Sequence, residues 1–561
     1  MTSTAGRPWL SSYADGVPAE IDVPDGSLVD LLEDSARRFA DRAALDFFGS
    51  TTSYARLGEQ VGRAAAALAG LGVRAGDRVA LVLPSCPQHV VAFYAVLRLG
   101  AVVVEHNPLY TRAELTTQLA DCGAEVAVVW DVTAPAVLAG RDRTSVRTVV
   151  AVDLTTALPL TKRLALRLPL PRVRATRAAM TVPAPGALSW DRLVAGAAPL
   201  PGNHPRPAAE DTALLQYTGG TTGTPKGAVL SHRNLRANAA QGRAWVPGLR
   251  DGEETVYGVL PLFHAYGLTL CLTFSVQVGA TLVLFPRFDV DQVLAAVRRR
   301  PPTFLPAVPP VYARLADAAR ERGVDLTTVR YGISGAMSLP PDVVDTWEQV
   351  TGGLLVEGYG MTESSPITLG NPVSSARRPG TVGVPFPSTE VRVVDPEDTD
   401  RDVEQGTPGE LLVRGPQVFS GYWRRPEETA AVLLPGGWLR TGDIVVMSED
   451  GFVTVVDRIK ELVITGGFNV YPSEVEDALR ALDGVLDAAV VGLRAPDGSE
   501  QVAAAVVAEP GAILDPDALR TAAREHLAGY KVPRRVVVVD ELPRSVIGKV
   551  LRRQVREQLE A

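Results

Sequence analysis

Runs of β-branched and apolar residues alternate with helically spaced apolar residues through much of this chain. Strands written that way are buried on both faces, which confines them to a parallel, helix-covered sheet. Residues 78–83 and 101–104 have the composition of buried strands, with a helical pattern over 89–97 between them. A strand, a crossover helix and a second strand make a parallel pair. The alternation recurs at 126–130, 281–285 and 303–307. Upstream, Leu28, Leu31, Leu32 and Phe39, then Leu57, Val61, Ala64, Leu68 and Leu71, fall at helical spacing and predict two amphipathic helices. From about Asp457 the texture changes: 488–493 and 502–508 read as a strand pair, 516–527 as a helix and 535–539 as a strand. A chain of 561 residues is too long for one hydrophobic core. The expected architecture is α/β, a large first domain followed by a small α+β domain.

A net charge of −8 leaves no basic excess for a nucleic-acid backbone, so a nucleic-acid partner is not expected. Cys86, Cys122 and Cys271 are few, odd in number and unpatterned, which fits buried packing residues in a reducing compartment. The first residues carry no secretory signal and the last no peroxisomal or lipidation signal, so the expected location is cytoplasmic. Residues 255–286 contain no Asp, Glu, Lys or Arg and are long enough to cross a bilayer. Pro261, His264, Gly267, Gln277 and Gly279 interrupt them, and strand, loop, buried helix and strand is the better reading. The segment 158–180 carries Lys162, Arg163, Arg167, Arg172, Arg174 and Arg177 among leucines and prolines, with no acidic residue. It reads as a solvated excursion with a partly helical start, broken by Pro169 and Pro171. A peripheral contact with the inner face of an anionic membrane is the alternative. A homodimer is also left open.

Lysine is scarce here: five residues against a large excess of arginine. Four of them, Lys226, Lys460, Lys531 and Lys549, sit in Gly/Pro-marked loops, where a compact, flexible ammonium is not interchangeable with a guanidinium. Lys226 closes Thr218-Gly219-Gly220-Thr221-Thr222-Gly223-Thr224-Pro225-Lys226-Gly227. Small residues bring backbone N–H groups close to oxygen anions, the threonines add donors and Lys226 adds charge. The loop ends Pro-Lys-Gly rather than Gly-Lys-Ser/Thr, so Walker-type chemistry is disfavoured. A helix capped by Ser231 should follow.

Further motifs follow in order: Pro261-Leu-Phe-His264, Gly332-Ile-Ser-Gly-Ala336, Glu357-Gly-Tyr-Gly-Met-Thr-Glu-Ser364, Gly409-Glu-Leu-Leu-Val-Arg-Gly415, Thr441-Gly-Asp-Ile444, Asp457-Arg-Ile-Lys-Glu461 and Gly548-Lys549. With the phosphate loop, this series resembles the adenylate-forming superfamily of acyl-CoA synthetases, firefly luciferase and peptide-synthetase adenylation domains. The turn at Pro385-Phe-Pro-Ser-Thr389, Gly467-Phe-Asn-Val-Tyr-Pro472 and Gly529-Tyr-Lys-Val-Pro533 are similar to those of bacterial long-chain fatty-acid–CoA ligases.

The resemblance implies an N-terminal domain of α/β subdomains over 1–456 and a mobile C-terminal domain over 457–561. It implies ATP, Mg²⁺ and coenzyme A, with a fatty acid activated as an acyl-adenylate and then transferred to the thiol. Thr218 and Glu363 would help hold Mg²⁺, a cation that prefers oxygen donors, and Thr362 beside Glu363 would be a catalytic residue. Gly219, Gly220, Thr221, Thr222, Gly223 and Lys226 would bind phosphates. Tyr359 would stack on adenine, with Gly335, Ala336, Glu357 and Gly358 as the adjacent wall, and Asp443 would accept from the ribose hydroxyls with Arg458 nearby. Lys549 would serve adenylation. A hinge at Asp457 would then replace it with Lys460, Gly466 and Gly467 for thioester formation. His264 is either a core residue or a neighbour of the reacting carboxylate, and Lys531 is either near the coenzyme A path or structural. Residues 263–274 and 332–336 are expected to line an acyl tunnel. Loading of a carrier protein, or activation of medium-chain or aryl acids, is the alternative, and a non-catalytic fatty-acid-binding module is disfavoured by Glu363, Asp443 and Lys549 together.

Overall fold

Two six-stranded parallel blocks take up the alternating segments. The computed structural model describes residues 7–23, 25–218, 225–465, 468–494, 500–545 and 548–560. In the first sheet, strands Leu354–Gly360, Tyr331–Ser334, Phe304–Ala307, Thr255–Gly258, Thr281–Leu284 and Ala43–Phe47 lie side by side and parallel. Antiparallel edges at Ile367–Gly370, Val384–Pro385 and Ser50–Ser53 complete it. In the second, Thr212–Thr218, Val102–Glu105, Arg78–Val82, Val126–Trp130, Thr148–Val152 and Leu188–Ser189 are parallel. The pair at 78–82 and 102–105 is the one the sequence implies, with the helix Pro87–Arg98 crossing between.

The amphipathic helices form as Leu28–Arg38 and Tyr54–Gly70. Ser27 and Asp30 make a reciprocal capping box at the first, which satisfies two otherwise orphaned N–H groups. Ser231 caps His232–Trp245 in the same manner with Asn234, but a strand, Lys226–Ser231, intervenes between phosphate loop and helix. That strand runs antiparallel to Thr212–Thr218.

The uncharged run forms a strand at Thr255–Gly258, helix from Ala265 to Val278 and a strand at Thr281–Leu284. Residues Leu268–Thr273 take π-helical geometry, as often found near functional sites. Thr269 Oγ1 donates to the Ser365 carbonyl at 2.5 Å and so ties this turn to the Glu363 segment. Among the described residues no helix is long and apolar enough to cross a membrane.

A third, antiparallel sheet joins Glu390–Val394, Gly409–Arg414 and Trp438–Met447, and Val453–Arg458 pairs with the last of these. Beyond it, Val485–Arg494 and Glu500–Ala508 pair antiparallel and Arg535–Val539 adds in parallel. The helix expected over 516–527 ends at Ala523. Successive tight turns at 524–526 then bring Leu527 into the small core. Buried apolar clusters divide between residues 9–453 and 463–559. The three cysteines are buried and unpaired, and burial pushes the Cys86 and Cys271 thiols up to about 12.

Candidate active site

The motif residues gather where the parallel strands end, the place at which open α/β sheets bind ligands. Strand Tyr331–Ser334 runs out into Gly335 and Ala336, and Ala336 holds a left-handed φ of 67°. A Cβ on Gly335 would lie 3.1 Å from the Tyr266 ring, a tight contact that glycine avoids. Tyr266 is fixed by donating to the Ile333 carbonyl at 2.7 Å and to that of Ala307 at 3.2 Å. The neighbouring strand Leu354–Gly360 carries Glu357, Gly358 and Tyr359. Glu357 is buried, and burial pushes its carboxyl up to about 7. The Leu339 N–H, 3.4 Å from Oε2, offsets part of that cost.

Tyr359 donates its hydroxyl to Asp443 Oδ2, and Arg458 Nε lies 2.9 Å from Asp443 Oδ1. Asp443 and Arg458 face each other on the paired strands Trp438–Met447 and Val453–Arg458. The carboxylate is thereby fixed by a phenol and a guanidinium, with acceptor capacity left over. Asp457, next along, accepts from the Ser473 N–H at 2.9 Å and from the Arg458 N–H at 2.7 Å. Burial pushes its carboxyl up to about 6.

On the other side, Thr362-Glu363-Ser364 forms a short 3₁₀ turn, whose exit is set by the Ser365 N–H donating to the Thr362 carbonyl at 3.2 Å. Glu363 is buried. Its Oε1 accepts from the Tyr422 hydroxyl at 2.6 Å, and the Phe419 N–H donates to its carbonyl at 2.9 Å. Among the described residues no basic side chain lies within ion-pair distance of it. Lys226 Nζ lies 5.2 Å from the centre of the Tyr422 ring. Thr218 pairs with Lys226 across the antiparallel strands and donates its hydroxyl to that residue's carbonyl at 3.4 Å. Gly219, Gly220, Thr221, Thr222 and Gly223 lie outside the described residues.

Lys549 comes to the same place from the far end of the chain. Gly548, at φ 83°, turns the backbone so closely over Met337 that a Cβ would lie 3.1 Å from its sulfur. Met337 directly follows Gly335-Ala336. Burial, then the positive charge of Arg458, pushes the Lys549 ammonium down to about 8 against the opposing pull of Glu461 and Asp443. Arg552 pins the loop's exit by pairing with Glu461 at 2.5 Å and Glu476 at 2.6 Å.

His264 Nδ1 accepts from the Tyr266 N–H at 3.2 Å, which leaves the proton on Nε2. Burial pushes the ring down to about 4, so it is neutral at ordinary pH. Lys460 is exposed on the turn Ile459–Glu461 and is not part of this cluster. Gly466 and Gly467 lie outside the described residues. Lys531 Nζ pairs with Glu474 Oε1 at 2.6 Å.

The donor set fits an oxygen-liking divalent cation such as Mg²⁺. A buried carboxylate without a cationic partner is costly unless a positive charge arrives. No cluster of three or more His, Cys, Asp or Glu suited to a metal exists among the described residues. Phosphate oxygens and water would therefore supply the remaining ligands, the usual arrangement for Mg²⁺. Tyr422 is the residue that sequence reasoning missed. Its only signal is the Gly421-Tyr-Trp423 triplet, and its partners at 226 and 363 lie far away along the chain.

Residues 32–423 match the family described as AMP-binding enzyme, and 474–549 match AMP-binding enzyme C-terminal domain. The chain is 40% identical over 555 residues to the long-chain-fatty-acid–CoA ligase of Yersinia pestis, covering 98% of both chains. It is 38% identical over 555 residues to that of Bacillus subtilis (strain 168), again covering 98% of both. Among solved structures, ATP-bound MatB from Rhodopseudomonas palustris has a TM-score of 0.81 at 31% identity, over 95% of this chain and 99% of that one.

Proposed function

The chain belongs to the AMP-binding enzyme family, and from that premise we propose that it activates a long-chain fatty acid with ATP and passes the acyl group to coenzyme A. The observation that carries this reading is the meeting of Glu363, the Tyr359–Asp443–Arg458 cluster and the Lys549 loop at one set of strand ends. The carboxylate of the acid attacks the α-phosphorus of ATP, pyrophosphate leaves, and an acyl-adenylate forms; the thiol of coenzyme A then displaces AMP. Negative charge grows on the phosphoryl oxygens in the first step and must meet fixed positive groups.

Lys549, half-buried and protonated below about pH 8, supplies one such charge at the carboxylate and α-phosphate. Lys226, the hydroxyl of Thr218 and the residues Gly219, Gly220, Thr221, Thr222 and Gly223 hold the phosphates. Asp443 accepts from the ribose hydroxyls, and Gly335, Ala336, Glu357, Gly358 and Tyr359 bound the base. Glu363 and Thr218 would hold Mg²⁺, which when bound would supply charge neutralisation at the phosphates. The neutral His264, with its proton on Nε2, would be a donor for the acyl carboxylate. For the second half-reaction, domain 457–561 turns about Asp457, removes Lys549 and brings in Lys460, Gly466 and Gly467. The division of the buried clusters between 453 and 463 supports a boundary there.

Release of pyrophosphate across short, medium, long and aromatic acids, followed by acceptor competition between coenzyme A and a carrier protein, tests this reading. Turnover favouring medium to long chains with coenzyme A is expected; equal or better turnover of aryl acids would sink the long-chain assignment.

The segment 158–180 supports a peripheral membrane contact. Its short helices, Leu160–Ala165 and Pro171–Ala178, leave Leu160 67%, Leu164 53%, Leu168 50% and Leu170 54% exposed among six basic residues. Apolar side chains ringed by cations suit an anionic bilayer, where a long-chain acid also partitions. Co-sedimentation with anionic but not zwitterionic vesicles is the expected outcome.

A further inference from the structure

One aromatic side chain touches both charged groups at the phosphate end of the site. Tyr422 sits on the two-residue strand Gly421–Tyr422, which adds antiparallel to Lys226–Ser231. Its position is set from several directions. The Tyr422 N–H donates to Thr429 Oγ1 at 2.9 Å, and the Trp423 N–H to the Gly227 carbonyl at 2.8 Å. The Phe419 ring meets its edge with centroids 5.0 Å apart. Arg425, three residues on, pairs with Asp121 at 3.0 Å, and Asp121 also accepts from Tyr217 at 2.6 Å. The backbone that carries the ring is thereby tied to the strand Lys226–Ser231.

From that fixed point the hydroxyl reaches Glu363 Oε1 at 2.6 Å, and the ring lies under the Lys226 ammonium at 5.2 Å. The phenol donates and the carboxylate, which has no hydrogen of its own when ionised, accepts. A carboxylate with one oxygen held by a donor presents its other oxygen in a fixed direction. An ammonium on a ring face is attracted without being neutralised.

We infer that Tyr422 is a positioning residue that orients the Glu363 carboxylate for the divalent cation through its hydroxyl and seats the Lys226 ammonium for phosphate through its ring, coupling the two ends of one site. The inference rests on the adenylating reading of that site. Its two halves separate by substitution: Tyr422→Phe removes the hydroxyl and keeps the ring, whereas Tyr422→Leu removes both.

The test uses the full-length protein, with Mn²⁺ as a spectroscopic probe titrated by electron paramagnetic resonance in the presence of a non-cleavable α,β-methylene ATP analogue. The analogue's affinity is measured separately in metal-free buffer. Tyr422→Phe is expected to weaken Mn²⁺ about tenfold, the size of a lost hydrogen bond to a charged group, while leaving metal-free analogue affinity unchanged. Tyr422→Leu is expected to weaken both. A Tyr422→Phe protein that loses thermal stability but binds Mn²⁺ as the wild type does would reduce Tyr422 to a packing residue and overturn the inference. If Tyr422→Leu does not fold, the Tyr422→Phe titration decides alone. Acid-dependent pyrophosphate release by the wild type is read separately, so failure of the functional reading and failure of this inference remain distinct.

Discussion

The two ends of the candidate site are built from the same parts in different order. At one end Tyr359 donates to Asp443, and Arg458 pairs with that carboxylate at 2.9 Å. At the other, Tyr422 donates to Glu363, but the nearby cation, Lys226, lies over the phenol ring instead of against the carboxylate. A carboxylate already paired with a guanidinium suits neutral hydroxyls, such as those of a ribose. A buried carboxylate left without a cation is a place for an arriving positive charge. On the proposed reading the same phenol–carboxylate contact serves two chemistries, and the position of the cation separates them.

Removing each carboxylate's charge should break the comparison most sharply. Glu363→Gln is expected to lower pyrophosphate release by about a thousandfold, as for loss of a group that meets developing transition-state charge. Asp443→Asn should act mainly on KM for ATP, by about tenfold, as for weakened hydrogen bonds to a bound substrate. Equal losses of kcat in both would erase the distinction drawn between the two ends.

The next effect is set by pH. Lys549 is held down to about 8 in the folded protein, against an ordinary value of 10.5. The protonated amine is the useful form, so adenylation should fall about tenfold per pH unit above that point. Linkage runs the other way: burying the ammonium costs stability in full below about pH 8, and that cost is relieved as pH rises towards 10.5. Arg458→Gln removes a positive neighbour and should move the activity limb to higher pH. A limb that stays in place would detach Lys549 from the ribose end.

Tyr359→Phe gives the smallest change, a few-fold weaker ATP binding with an unchanged metal midpoint. A shifted metal midpoint would show that the ends are not separable.

Much of this was legible in the sequence because it is local. The strands 126–130 and 535–539 were readable to the residue from β-branched runs, and the capping role of Ser231 from its place before the helix. The Glu357 to Ser364 motif lies on one strand and the turn after it, so its residues arrive together. Contacts set by sheet order were not legible. Nothing in the periodicity of residues 421–423 reports that they become an edge strand beside 226–231, which is what brings Tyr422 to Glu363. The strand at 226–231 was hidden for a similar reason: Lys-Gly-Ala-Val-Leu-Ser is short, and its partner is a strand set by the sheet order, 212–218. Lys531 looked like the other loop lysines until its partner, Glu474, was located 57 residues away in the chain.

The central claim is that Lys549, carried by the small C-terminal domain, serves adenylation and not thioester formation. It is tested most directly by measuring both half-reactions of Lys549→Ala: acid-dependent exchange of pyrophosphate into ATP, and thioester formation from supplied acyl-adenylate and coenzyme A. The account predicts that exchange is lost by a factor of about a hundred or more while thioester formation from the adenylate is retained. Equal loss of both half-reactions would contradict it.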